Sequence, residues 1–494
     1  MLNPDQKKLL DSLLGSVSRD QTLWLSGYLQ GLAGADASVG GAVATQVDKP
    51  KVNVYYATET GNSKALSLNV MKALKGAGFK TKASVVNRLK PEDFKKDEFA
   101  IFLVSTHGEG TPPETAEKFF ELMGDAPEGL LENLSYAALG LGDSSYEIFC
   151  GAIVTLDKEL SRMGAKAFQD IKLLDVDYAS HTAKWIEETV ANLNKLSGDT
   201  GAVQSSASFD NSAQEVRTGL GYTRLEPIKG KVTDIVNLND RGSKKETYHI
   251  EISYEDDVVY TPGDAVGIIL PDDVAVDDVT PRLYSIASSP SFHEGEIHLT
   301  VSLTSYTKED GSTGHGLASG FLSQVKEDDE IEFYISQNQL FNLPADDQDA
   351  IMIGPGTGIA PFRSFVYERS ERGASGRNWL VFGDQHAHCD FLYQAEWQEH
   401  LAVDALDRLD LAFSRDQDHK VYVQNRLEEN ADEVINWLDG GAVIYVCGAK
   451  DPMSKDVDQT LIKIISEKKS LSTESAEDYL ADLEEQGRYL KDVY

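Results

Sequence analysis

Cysteine is scarce in this chain: Cys150, Cys389 and Cys447 are the only three in 494 residues. Their scatter, without metal-ligand spacing, excludes a disulfide framework and a zinc site and points to the reducing cytoplasm. Positive charge is also short. Lysine and arginine total 46 against 81 acidic residues, a net charge of −35, which argues against nucleic acid as a partner. The acidic surface serves solubility in a salty cytoplasm, or meets a basic protein partner and speeds encounter; both readings are compatible. Long apolar runs are missing too. None reaches the roughly 18 residues of a membrane span. The polar start Met-Leu-Asn-Pro-Asp-Gln-Lys-Lys lacks the apolar stretch of a secretory signal, so neither membrane insertion nor export is expected.

What is present, 41% hydrophobic and 26% charged residues, is ordinary for a globular protein. The length suggests about three domains. Residues 1–34 carry two apolar stripes at helical spacing, Leu9, Leu10, Leu13 and Leu14, then Trp24, Leu25, Tyr28, Leu29 and Leu32. A piece of about 35 residues cannot bury a core alone. This arm is therefore expected to join copies of the chain into a homo-oligomer, with a disordered leader as the alternative. Residues 35–50 read as a linker.

Residues 51–196 repeat the order strand, Gly-containing loop, helix. Val52–Ala57, Phe99–Val104 and Tyr136–Leu141 are near-continuous apolar runs, the mark of parallel strands buried on both faces. Amphipathic stretches at 63–76, 113–124, 151–163 and 181–196 complete a doubly wound sheet, whose ligands sit beyond the strands' carboxyl ends. Three loops lie there. Thr58, Glu59, Thr60, Gly61, Asn62 and Ser63 offer hydroxyls and backbone N–H groups to a phosphate. Ser105, Thr106, His107 and Gly108 follow the second strand. Leu141, Gly142, Asp143, Ser144, Ser145, Tyr146, Glu147, Ile148, Phe149 and Cys150 follow the third, with Tyr146 a candidate stacking ring.

Residues 197–224 are rich in Ser, Gly and Ala, and about 25 such residues span roughly 25–30 Å as a flexible tether. Residues 225–345 then turn to short β-rich segments: Lys231–Val236, Thr247–Ile252, Val258–Tyr260, Ala265–Leu270, Arg282–Ala287, Ile297–Leu303 and Glu330–Ile335. Their spacing predicts an antiparallel barrel. Within it, Arg282 and Tyr284 share a strand face, where a cation meets phosphate and a ring meets an aromatic ligand, with Leu283 between them and Ser285 after. Thr300, Val301, Ser302 and Tyr306 follow, then Gly316, Leu317, Ala318 and Ser319, which open a helix expected over Ser319–Val325 as a pyrophosphate cradle.

Residues 346–494 return to alternating strand and helix. Gly356, Thr357 and Gly358 lie in a Gly-rich turn between an apolar strand and a helix, a nucleotide-binding context without a Walker lysine. Ser414, Arg415, Lys420, Val421, Tyr422, Val423 and Gln424 follow the strand Asp410–Phe413. Cations gathered there favour the extra phosphate of NADPH over NADH; a solvated surface pair is the plain alternative. Tyr445–Gly448 ends another strand, ahead of Asp456. The terminal Tyr494 reads as a lid on a flavin.

Several of these motifs carry a resemblance: Leu-Ser-Gly-Tyr in the arm, Leu-Gly-Asp-Ser-Ser-Tyr-Glu, Thr-Pro-Arg-Leu-Tyr-Ser-Ile-Ala-Ser-Ser, Ile-Gly-Pro-Gly-Thr-Gly-Ile-Ala-Pro-Phe-Arg, Ser-Arg-Asp-Gln with Lys-Val-Tyr-Val-Gln, and the final Asp-Val-Tyr. With them the chain resembles the NADPH-dependent diflavin reductases, most closely the flavoprotein subunit of bacterial assimilatory sulfite reductase. The resemblance implies an α/β multidomain protein: a flavodoxin-like FMN domain, then a ferredoxin–NADP reductase-like module of a β-barrel for FAD and a Rossmann-like domain for NADPH. It implies electron flow from NADPH through FAD and FMN to a siroheme and iron–sulfur hemoprotein subunit that reduces sulfite. It also implies Ser285, Cys447 and Asp492 around the reacting atoms, with Tyr494 stacked on the flavin; a structural buried thiol is the alternative for Cys447.

Two positions depart from the pattern. His107 stands where relatives often carry glutamine or an aromatic residue. Only about Asp272–Val279 replaces a long inserted helical connecting domain, and so short a joint is expected to loosen the coupling of the two flavins. A cytochrome-P450-reductase-like enzyme, or a general NADPH–hemoprotein or flavodoxin reductase, would share the motifs, but the first carries a membrane anchor. A non-catalytic electron-carrier or assembly module would need degraded nucleotide loops, and these are intact.

Overall fold

Apolar runs at 52–57, 99–104 and 136–141 become the middle of a parallel sheet. The computed structural model describes residues 49–197, 217–255, 257–271, 274, 280–308 and 310–494, without the side chain of Ser180. The expected arm, most of the tether and most of the 272–279 joint lie outside the described residues. Strands β1 (Lys51–Ala57), β2 (Lys80–Val85), β3 (Phe99–Ser105), β4 (Ser135–Leu141) and β5 (Lys166–Ala167) lie in the order β2-β1-β3-β4-β5, with β6 (Lys172–Leu174) also on β4. Helices α1 (Asn62–Gly76) and α4 (Ala179–Leu196) cover one face, and α2 (Glu117–Asp125) and α3 (Gly151–Arg162) the other. The sequence reading passed over β2, an edge strand whose Lys-Thr-Lys-Ala-Ser-Val has only half-buried or exposed side chains.

The second sheet is antiparallel. Strands β7 (Ile228–Asn237), β8 (Thr247–Ser253), β9 (Ala265–Ile269), β10 (Arg282–Ser285), β11 (Glu296–Ser302) and β14 (Glu330–Ser336) run in the order β10-β9-β14-β7-β8-β11. A bridge between Ile286 and Leu299 joins the two ends and closes the barrel. Its core is aliphatic, with Ile250, Ile252, Val266, Ile268, Leu299 and Val301 fully buried. A small hairpin, β12 (Ser305–Thr307) with β13 (Thr313–His315), leads to α5 (Leu317–Leu322), which starts and ends earlier than the helix expected over 319–325. Val258–Tyr260 is not a strand, contrary to expectation. Tyr222 and Arg217 side chains take up the Val259 carbonyl, and the Tyr222 hydroxyl accepts the Val259 N–H, so no strand neighbour is needed.

The third sheet is parallel, in the order β17-β16-β15-β18-β19, built from β15 (Ala350–Ile353), β16 (Asn378–Asp384), β17 (Arg408–Phe413), β18 (Val443–Gly448) and β19 (Tyr489–Val493). The chain reverses direction of winding between β15 and β18, the crevice where such sheets bind nucleotides. Helix α6 (Ala360–Glu371) leaves the Gly-rich turn after β15. No helix among the described residues is long and apolar enough to cross a membrane.

Candidate functional site

The three hydroxyl- and glycine-rich loops leave the adjacent strands β1, β3 and β4 at one end of their sheet. Thr58 Oγ1 accepts the Gly61 N–H at 2.9 Å. Gly61 has φ 91°, and a Cβ there would lie 2.9 Å from Gln339 Cβ, so glycine is required by both backbone and space. Ser63 and Ser105 hydroxyls are 2.7 Å apart. Thr106 Oγ1 and Ser145 Oγ are buried without a hydrogen-bond partner. An unpaired buried hydroxyl costs about 1–3 kcal/mol, so a ligand with acceptors fits these loops. A Cβ on Gly142 would sit 2.8 Å from Cys150 Sγ, which shows how tightly the third loop doubles back.

Across from these loops, Arg282 and Tyr284 share a face of β10, opposite Ile268 and Val266 of β9. Burial pushes the Tyr284 phenol up to about 12. Ser285 Oγ donates to Asp492 Oδ2 at 3.1 Å. Asp492 is the register partner of Cys447 across β18 and β19. Burial lifts the Asp492 carboxyl to about 6; Ser285 pulls against that lift and Glu59 adds to it. The Cys447 thiol is fully buried, and burial and Asp492 together hold it well above the usual thiol range. The Tyr494 hydroxyl lies 2.8 Å from Thr357 Oγ1 in the Gly-rich turn, and the residue as a whole is 63% exposed. A Cβ on Gly358 would meet the Cys447 carbonyl oxygen at 2.1 Å, so that turn packs directly on β18.

Beyond β17, the Ser414 and Arg415 N–H groups donate to the Asp384 and Gln385 carbonyls, both at 2.9 Å. Arg415, Lys420 and Tyr422 are exposed, and Gln424 Nε2 donates to Asp456 Oδ2 at 3.1 Å. Val421 and Val423 point instead into the core under β16, and Val301 into the barrel core. Their side chains are buried in those cores and do not line the cavity described below, which corrects their reading as side-chain contacts. Cys150 likewise packs in the flavodoxin-like core. Tyr306 lies over Gly314 of its own hairpin.

One cavity of about 1540 Å³ joins the flavodoxin-like loops to the barrel. Glu59, Thr60, Asn62, Thr106, His107, Asp143 and Tyr146 line it together with Arg282, Tyr284, Ser285, Thr300, Ser319, Thr357, Asp492 and Tyr494. The sequence reading missed Arg217 and Tyr222 on its wall, because they end a stretch that reads as tether, and Leu225, the first residue after it. Arg217 is anchored by Asp264 at 2.5 Å and by Gln337, so from residue 217 onward the chain is part of the barrel. The short joint is expected to leave the flavodoxin-like domain loosely held, yet residues 50–494 form one unit. Gln339 N–H donates to the Thr60 carbonyl at 2.8 Å, and Thr280 Oγ1 to the Ser145 carbonyl at 3.2 Å. The domains are docked.

Comparison with known proteins agrees with this architecture. The flavodoxin family matches residues 54–188, the FAD binding domain family residues 273–321, and the oxidoreductase NAD-binding domain family residues 352–459. The cofactors these families bring are FMN, FAD and a nicotinamide nucleotide. The sulfite reductase (NADPH) flavoprotein alpha-component of Bacillus subtilis (strain 168) is 34% identical, with 100% of this chain and 98% of the relative covered. Proteins of the same description from Vibrio cholerae (33%, 100% and 96% covered) and Aliivibrio fischeri (34%, 100% and 98% covered) are also similar. The Bacillus subtilis comparison runs over 602 positions against 494 residues here, so the relative carries residues without a counterpart in this chain. This chain is a diflavin reductase and belongs to the family of sulfite reductase (NADPH) flavoprotein alpha-components.

Proposed function

We propose that this chain draws electrons from NADPH, passes them through FAD to FMN within the shared cavity, and delivers them to a siroheme and iron–sulfur hemoprotein that reduces sulfite to sulfide. One observation carries the reading: Thr60, His107 and Tyr146 face the same space as Tyr284, Ser285, Thr357 and Tyr494. When bound, the flavins supply two-electron acceptance from a nicotinamide and single-electron delivery onward.

The chain itself binds, orients and stabilises charge. Thr58–Ser63, Ser105–Gly108 and Leu141–Tyr146 would hold FMN. Arg282–Ser285, Thr300, Ser302 and Gly316–Ser319 would hold FAD. Gly356–Gly358, Ser414, Arg415, Lys420, Tyr422, Gln424 and Asp456 would hold NADPH, with the exposed cations at its extra phosphate. Asp492, anionic above a pH of about 6, favours positive charge growing on the nicotinamide, and Ser285 fixes its orientation. The Cys447 thiol stays protonated and adds no second negative charge. Tyr494 covers the site and moves aside for nicotinamide, a gating step. Residues 1–34 would join copies of the chain, and the cytoplasm is the expected compartment. The test is purified holoprotein mixed with a siroheme hemoprotein and NADPH. Sulfide formation is expected; none, with both flavins and siroheme present, would refute the acceptor.

A further inference from the structure

Two histidines and an aspartate meet at one edge of the third sheet, outside the flavin cavity. β16 and β17 are neighbours in register, with Asp384 beside Phe413. The loops that leave their carboxyl ends carry His386, His388 and Asp416. His386 Nδ1 lies 2.8 Å from Asp416 Oδ1, and Asp416 Oδ2 accepts the Ala387 N–H at 2.8 Å. The two imidazole rings stand 5.4 Å apart between centroids. One possible ligand atom from each of the three residues lies within 4.8 Å of the other two. His388 is exposed, and the side chains of His386 and Asp416 are 30% and 31% exposed, so an ion reaches them from solvent.

Both loops are held in place by groups other than the three ligands. The buried Asp390 carboxylate accepts the His386 N–H at 3.0 Å, the Asn239 side-chain amide at 3.0 Å and the Ser243 hydroxyl at 2.5 Å. The Asp240 N–H donates to the Cys389 carbonyl and the Arg415 N–H to the Gln385 carbonyl, both at 2.9 Å. The second of these ties the loop of Asp416 to that of His386. Gly242, with φ 107°, turns the chain beside His388; a Cβ there would stand 3.7 Å from His388 Nε2. A backbone already fixed lowers the ordering cost of binding. A second group, His249, Glu251 and His298, also gathers possible ligands. There the Arg363 guanidinium, 3.1 Å from His298 Nδ1, opposes a further cation.

We propose that His386, His388 and Asp416 form a site for a divalent first-row transition ion, with Zn²⁺ the probe that suits the donor set. Two imidazole nitrogens and one carboxylate oxygen favour such ions over Mg²⁺ and Ca²⁺, which take oxygen ligands. Metal bonds of about 2.0–2.2 Å set tetrahedral ligands roughly 3.3 Å apart, a spacing these side chains reach by small rotations. An ion between His386 Nδ1 and Asp416 Oδ1 replaces the hydrogen bond there, and the imidazole keeps its proton on Nε2. Cysteine takes no part, so the scatter of the three thiols has no bearing on this site. Three protein ligands leave a position open, one residue from Arg415, which the reading above places at the extra phosphate of NADPH. A bound ion offsets the Asp416 charge beside that phosphate and adds its own, so the nucleotide binds more tightly. That consequence rests on the electron-relay reading; the metal site does not.

The test is the flavin-loaded protein, stripped of metal by a chelator and titrated with Zn²⁺ while excess Mg²⁺ occupies the acidic surface. One Zn²⁺ per chain is expected to remain after gel filtration, counted by elemental analysis. His388→Gln and Asp416→Asn should each weaken binding at least about tenfold, whereas Glu251→Gln, at the other histidine group, should not. Zn²⁺ loading should tighten NADP⁺ binding about twofold to tenfold at low salt and leave NAD⁺ binding unmoved. In His388→Gln the same addition should move neither. No retained Zn²⁺, or equal retention in wild type and both ligand variants, would overturn the site. Retention with unmoved NADP⁺ binding would keep the site and overturn its link to the nucleotide. Should NADPH reduce no flavin at all, the relay falls, and the Zn²⁺ count still decides the site.

Discussion

Two seams run through residues 50–494, and they are built from different materials. Between barrel and nucleotide domain, Arg363 is 5% exposed and reaches the Ala287 carbonyl at 3.0 Å, His298 Nδ1 at 3.1 Å and Glu396 at 2.6 Å. Glu368 accepts from Ser289 and Ser291, Ser364 donates to the Ser288 carbonyl, and the Tyr393 hydroxyl lies between His249 and Thr300. These are buried, fully partnered groups, costly to separate because each would have to be rehydrated or left unpaired. Between the flavodoxin-like domain and that module, sheltered pairs (Arg224 with Asp143, Lys491 with Glu114) stand beside partly exposed ones (Arg88 with Asp482, Lys450 with Glu117) and a few hydrogen bonds. The exposed charges there can return to water at little cost. The first seam fixes the nucleotide turn against the barrel, where chemistry needs a fixed geometry. On the proposed electron relay, the second seam would have to open for the flavodoxin-like domain to hand electrons to another protein.

The comparison breaks first at Arg363. Arg363→Ala should cost about 2–4 kcal/mol of stability, since it removes a buried guanidinium that holds the Ala287 carbonyl and the half-buried Glu396; urea unfolding of the barrel and nucleotide domain would show it, and a loss below about 1 kcal/mol would mean this seam is no firmer than the other. Next is Asp492, which sits where the firm seam meets the chemistry. Its carboxyl is lifted from 3.8 to about 6, so it is neutral at low pH and anionic above. Single-turnover reduction of flavin by NADPH should therefore rise between about pH 5 and 7. Asp492→Asn should remove that rise and slow the step by about tenfold to a hundredfold. A wild-type profile flat through pH 6 would count against the role. Tyr494→Ala should tighten NADP⁺ binding by about tenfold, or 1.4 kcal/mol, and alter the preference between the two pyridine nucleotides; unchanged binding and preference in equilibrium titration would remove the lid. The smallest effect sharpens the contrast. Arg224→Gln should leave unfolding stability within about 0.5 kcal/mol of wild type, because the freed Asp143 and Asp175 regain water when the domains part.

Much of the site was legible because strand ends announce themselves. Thr58–Ser63, Ser105–Gly108, Leu141–Tyr146 and Gly356–Gly358 each follow an apolar run and combine hydroxyls with glycine, a pattern that packing alone does not require. Arg282, Tyr284 and Ser285 alternate on a strand, so their two faces could be read directly. Other features had no such signal. The edge strand β2 is polar because only one side of it has a neighbour. Val258–Tyr260 has the composition of a strand, but its backbone is taken up by side chains from residues 217 and 222, which are remote in kind from any strand motif. Val301 stands between Thr300 and Ser302, which face the cavity, and Val421 and Val423 flank the exposed Tyr422, yet all three valine side chains are buried in the cores. Arg224 lies at the end of a Ser- and Gly-rich stretch, and nothing local shows that its guanidinium spans two domains. The ion pairs between the domains bring together residues 88 and 482, 143 and 224, 117 and 450, and 114 and 491, and such long-range pairing leaves no periodic trace.

The proposed relay needs two different flavins sharing the cavity between loops 58–63, 105–108 and 141–146 and the barrel. Flavin released from the purified holoprotein, separated and counted per chain, tests this most directly. FAD and FMN are expected in equal amounts, each lost separately when Tyr284 or Tyr146 is replaced by alanine. A single flavin species, or none after reconstitution with both, would contradict it.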